Sequence, residues 1–111
     1  MSVIDMRHLR DITDGDAEFE KELFDVFFEN ARDNIDKMVN AVQSKNIDAW
    51  KASSHSFKGA AASIGAFDLS DILEHAQVSQ NATAQEKEEI LTQVRKRFAE
   101  VDGFVKSHLG G

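Results

Sequence analysis

The chain has 111 residues, 41% of them hydrophobic and 30% charged, with a formal net charge of −7, no proline and no cysteine. Without cysteine there is no disulfide framework, thiolate nucleophile or cysteine-based zinc site. The acidic field argues against a general nucleic-acid or anionic-membrane binder. No apolar run approaches the roughly 18 residues of a membrane span and no signal-peptide pattern opens the chain, so a cytoplasmic location is expected.

The length is that of one domain with one hydrophobic core, residues 1–111. The missing proline favours long helices, and no alternating β-branched or aromatic run marks a strand. A short first helix is expected over about residues 3–12, with Ile4, Leu9 and Ile12 apolar. Thr13-Asp14-Gly15-Asp16 is turn chemistry, and Asp14 or Asp16 can cap the next helix. That long helix is expected over about residues 17–43. Its residues Phe24, Phe27, Phe28, Ala31, Ile35, Met38 and Val42 recur at three- and four-residue steps and share one face. Phe19, Leu23 and Val26 widen that stripe, which suggests that the N-terminal piece lies over this end.

Ser44-Lys45-Asn46 breaks the pattern, and Asn46 suits the cap of a helix over about residues 47–64. Gly65 stands where a left-handed residue ends a helix. Asp68 is the expected cap of a helix over about residues 68–80, carrying Leu69, Ile72, Leu73 and Ala76. Gln80-Asn81-Ala82 is a turn. Thr83 and Glu86 have capping-box spacing ahead of a last helix over about residues 84–108, with Ile90, Val94, Phe98, Val101 and Val105 inward. Amphipathic helices on short connections pack as an antiparallel up-down four-helix bundle, here with a short additional N-terminal helix.

The helix over residues 47–64 departs from a plain bundle helix. Its core stripe is Ile47, Trp50, Ser54, Phe57, Ala61 and Ile64. His55 falls roughly 130° away from the centre of that stripe and should face solvent. Its neighbours on the helix are Lys51, Lys58, Gly59 and Ala62. A solvent face is ordinarily built from long charged side chains. Here a glycine that costs the helix about 1 kcal/mol against alanine sits one turn from the histidine. It leaves room for a phosphoryl group or another protein's backbone. Neutral imidazole is a nucleophile near pH 7, and ammonium groups at Lys58, and more weakly Lys51, stabilise charge on a phosphoryl group. No metal site and no phosphate-binding glycine loop is evident, so the electrophile and its Mg²⁺ would come with a partner.

His55-Ser56-Phe57-Lys58-Gly59 followed by Ala60-Ala61-Ala62-Ser63-Ile64-Gly65-Ala66 resembles the signature of histidine phosphotransfer (HPt) domains of multistep phosphorelays. That signature is histidine, two residues, lysine-glycine, small residues, then a second glycine ten positions after the histidine. Phe57 stands where the family usually has leucine or another apolar residue, and Leu69 fits the apolar position after the turn. Gln77 falls where several members carry a glutamine that hydrogen-bonds near the phosphohistidine. The resemblance implies a four-helix bundle with an exposed histidine on its second helix. It implies a phosphoryl carrier without kinase activity of its own, free-standing or excised from a larger hybrid kinase. His55, usually through Nε2, would accept the group from a phospho-aspartyl receiver domain of a hybrid kinase. It would then pass the group to the receiver aspartate of a response regulator. Lys58, Lys51 and Gln77 would stabilise the phosphoryl group, and Gly59, Ala62 and Gly65 would serve steric fit and docking, with Ile4 or Leu9 contributing apolar surface. A monomer is expected.

Two other readings compete. One is an interaction module of the same fold in which His55 is only a solvated surface residue. The other is a metal-binding bundle, but His8, His75 and His108 have neither three- or four-residue spacing nor the Glu-x-x-His pairing of di-iron bundles. His75 is read as a surface residue, His8 as near the docking face and His108 as close to a fraying end. The acidic residues of first turns complement helix dipoles, and Arg95-Lys96-Arg97 forms a solvated patch.

Overall fold

The computed structural model describes residues 3–110, in which there are five helices and no strand. They are α1 (Met6–Thr13), α2 (Ala17–Ser44), α3 (Ile47–Ser63), α4 (Phe67–Val78) and α5 (Ala84–Gly110). Among these residues, no helix is long and apolar enough to cross a membrane.

Helices α2 to α5 form a bundle in which each packs on its two neighbours in chain order and α5 closes back on α2. The bundle is 42 Å long, and the 28-residue α2 runs its full length at 1.5 Å per residue. Neighbours run in opposite directions. Along α3 and α4, His55 meets Gln77 while Lys58 meets Glu74. Between α4 and α5, Asp68, Asp71 and Ile72 line one cleft with Gln93 and Arg97, while Ile72, His75 and Ser79 line the next with Glu86, Glu89, Ile90 and Gln93.

The stripes meet in one core that includes Phe24, Phe27, Met38, Trp50, Phe57, Leu69, Leu73, Val94 and Val101. Phe27, Phe28, Phe57 and Phe98 form an aromatic knot across α2, α3 and α5. Their ring centroids lie 5.4 to 6.4 Å apart, mostly edge to face, as ring quadrupoles favour. Trp50 is fully buried and donates its indole N–H to the carbonyl of Ala76 at 2.7 Å. Lys87 lies over the same ring, its Nζ 5.3 Å from the centroid. Among the buried polar residues, Ser54 lies on the expected α3 stripe, whereas Asn34 was not announced by the apolar pattern. Asn34 donates to Asn30 Oδ1 at 2.8 Å and to Ser56 Oγ at 3.3 Å. The hydroxyl of Ser54 has no protein partner.

Three stripe residues face outward instead, and the first, Phe19 near the start of α2, is 44% exposed. Ile47, at 43% exposure, is the first residue of α3, and Val26, at 65%, lies on the outer face of α2. Phe19 and Val26 therefore do not widen the core, and Leu23 is the half-buried part of the proposed extension.

Helix ends obey local chemistry with small shifts. Asp16 caps α2 by accepting from the N–H groups of Glu18 and Phe19. Asp5 does the same for Arg7 and His8, so α1 starts at Met6, later than the apolar pattern suggests. The Asp68 cap is not formed: α4 starts at Phe67 from Ala66, with no side-chain cap bond. The cause is the turn before it. Gly65, at φ +82°, donates to Ala62 and Ala66 donates to Ala61, a Schellman closure that leads straight into α4. Asp68 is left in the first turn, complementing the dipole. Thr83 Oγ1 accepts from the N–H of Glu86, and its hydroxyl reaches the Glu86 carboxylate, which is half of a capping box. At the far end α5 continues to Gly110 because His108 pairs with Glu20 and stacks on Phe104. His108 thus ties the last turns of α5 to the start of α2.

The N-terminal segment is held by Gly65. Asp5 donates its N–H to the Gly65 carbonyl at 2.9 Å, and a Cβ on Gly65 would lie 2.9 Å from the Asp5 carbonyl oxygen. Gly65→Ala should therefore lower stability by roughly 1–3 kcal/mol, measured by urea unfolding. Unchanged stability would show that this junction contributes nothing.

Candidate functional site

Burying Trp50, Phe57 and Ala61 turns the opposite side of α3 to solvent, and His55 lies there, exposed. Its imidazole Nδ1 is 3.3 Å from Oε1 of Gln77 on α4. Lys51, Asp48 and Ala52 complete an open depression of about 400 Å³ with His55 and Gln77. Lys51 is exposed one turn before the histidine and forms no ion pair among the described residues.

Lys58 is one turn after His55, but its ammonium does not stand free. It pairs with Glu74 of α4 at 2.6 Å. Glu74 and Gln77 are three residues apart and share a helix face, opposite Lys58 and His55. Glu74 and Asp48 were missed in the sequence. The spacing of Glu74 to Gln77 was a usable signal once α3 and α4 were known to face each other.

Gly59 is exposed, and a Cβ built there would meet nothing within 4 Å. No internal contact demands this glycine. Ala62, one turn further, is partly exposed. Gly65 is buried against Asp5, so its steric role is internal and it is not part of a docking face. Ile4 and Leu9 are fully buried in the core and likewise cannot offer docking surface. Ile12 is the large apolar residue of α1 that reaches solvent. His8 is half-buried with its ring against Phe67, 5.2 Å between centroids, and its Nε2 is shielded. His75 is exposed on α4. Among the described residues, no group of three or more His, Cys, Asp or Glu side chains is placed to hold a metal ion.

The site is thus a solvent-facing imidazole with one nitrogen turned to an amide oxygen, beside a bare stretch of helix and an ion pair. It sits on a helical bundle whose sequence matches the family model of the Hpt domain over residues 22–104. That match spans most of α2 through α5, and the chain belongs to the Hpt domain family. Hpt domains are phosphoryl carriers that exchange the group with receiver domains in phosphorelays. No curated protein and no solved structure matches the chain.

Since Gly59 satisfies no contact within the chain, Gly59→Ala should stabilise the fold by about 0.5–1 kcal/mol through helix propensity alone, measured by urea unfolding. Destabilisation would mean that the backbone there needs glycine for the fold.

Proposed function

We propose that His55 is the phosphoryl-carrying residue, taking the group from the phospho-aspartyl receiver of a hybrid histidine kinase and delivering it to the receiver of a response regulator. The observation that carries this reading is the pairing of His55 Nδ1 with Gln77 Oε1. An amide oxygen only accepts, so with the amide in this orientation the proton is on Nδ1 and the lone pair is on Nε2.

The Nε2 lone pair attacks phosphorus in line with the bond to the receiver's aspartate. The new P–N bond forms as the P–O bond breaks, and the bonding pair leaves with the carboxylate oxygen. The ring becomes cationic with its proton still on Nδ1, held against Gln77. Reversal against a second receiver returns the neutral imidazole. The Mg²⁺ this chemistry calls for belongs to the receiver. Lys58 and Lys51 supply positive charge to the phosphoryl oxygens. Gly59 and Ala62 let the receiver's backbone approach, and the carrier works as a monomer.

The chain is mixed with a receiver carrying labelled acyl phosphate. Label should appear on the chain, be lost in acid and survive base, and His55→Gln should abolish it. Label persisting in His55→Gln would overturn the assignment. Failure of transfer from every receiver tried would favour an interaction module without phosphotransfer. Ala62→Glu places a charge where the receiver would have to desolvate it, so transfer should slow roughly tenfold or more with the fold intact by circular dichroism. An unchanged rate would move the docking face elsewhere.

A further inference from the structure

The carboxylate of Glu74 is the unexplained group of this site. Lys58 Nζ is 2.6 Å from Glu74 Oε2, with the lysine side chain 28% exposed and the glutamate 53%. A lysine kept only to receive a phosphoryl group would be best left unpaired. Here its charge is already matched before any phosphoryl group arrives.

Across the α3–α4 seam the site has two levels. A neutral amide faces the imidazole and a carboxylate faces the ammonium. When Nε2 of His55 carries a phosphoryl group, two anions one helical turn apart share one ammonium. Lysine has three donors on a flexible stem and can turn toward either anion. Every contribution it makes to the phosphoryl group is set against the pair it already forms.

We propose that Glu74 is a positioning residue that acts through Lys58. By holding the ammonium it limits the stabilisation of the phosphorylated state, so that the group stays ready to leave. This rests on the assignment of His55 as carrier and concerns how firmly the carrier holds its cargo. The covalent step is unchanged; what exchanges is the partner of the Lys58 ammonium.

The test is the equilibrium constant for phosphoryl exchange between the full chain and a receiver domain charged with acetyl phosphate. That constant depends only on the free and phosphorylated forms of the two proteins, so altered docking does not move it. Glu74→Gln should shift the equilibrium toward the phosphorylated chain by about two- to fivefold, the size that solvent-exposed ion pairs permit, and added salt should narrow the difference. Glu74→Asp should restore part of the wild-type value. Lys58→Met should shift the equilibrium toward the receiver, and adding Glu74→Gln to it should change nothing further. An unmoved equilibrium in Glu74→Gln would overturn the proposal. So would an equal shift in the Lys58→Met background, which would show the carboxylate repelling the phosphoryl group directly. If the wild-type chain takes no phosphoryl group on His55, the carrier assignment fails, and this inference with it.

Discussion

The seam between α3 and α4 depends on one buried hydrogen bond. Trp50 is fully enclosed, and its indole N–H is satisfied by the Ala76 carbonyl near the end of α4. A buried indole without that acceptor would lose the worth of an unmade hydrogen bond, so sliding α4 along α3 is penalised. The ring also fills the space between the helices and carries Lys87 on its face. With the register pinned there, Gln77 comes to lie against His55 and Glu74 against Lys58. The surface chemistry is therefore a consequence of a core contact on the other side of the same helix.

In the proposed carrier role, the arrangement would supply some parts of phosphoryl exchange and leave others to a partner. It has an exposed imidazole whose Nδ1 faces an amide oxygen, a nearby ammonium and an uncluttered helix surface. The chain is acidic overall, and the lysines beside His55 make the site a local departure from that field. The Lys58–Glu74 pair moderates the departure, which would suit the proposed carrier, since it must give up its group as readily as it takes it.

The other end of α3 shows how strongly a single glycine couples local and tertiary structure. Gly65 closes the helix through its left-handed backbone, leads directly into α4 and accepts the N–H of Asp5. Ile4 and Leu9 are thereby drawn into the core. That is why the N-terminal segment, amphipathic in sequence, offers little of its apolar surface to a partner.

Helix positions, the exposure of His55 and the family signature were all legible in the sequence, because they rest on local periodicity and on spacing along one helix. Phe24, Phe27, Phe57 and Val94 went inside, as a 3.6-residue repeat requires. Periodicity alone, however, treats every apolar residue on a stripe alike. It could not tell that Phe19, Val26 and Ile47 stay exposed. Nor did it foresee Asn34 as a core residue, since that depends on finding Asn30 and Ser56 as partners. Residue order alone was enough to specify an all-helical chain with a histidine, lysine and glycine on one solvent-facing strip, because i, i+3 and i+4 neighbours are set by helix geometry. What stands across from that strip came from the packed bundle, apart from Gln77, which the family resemblance had already put near His55. The amide opposite His55 and the carboxylate opposite Lys58 are fixed by the register of α4, and register depends on packing and hydrogen bonds between residues distant in the chain.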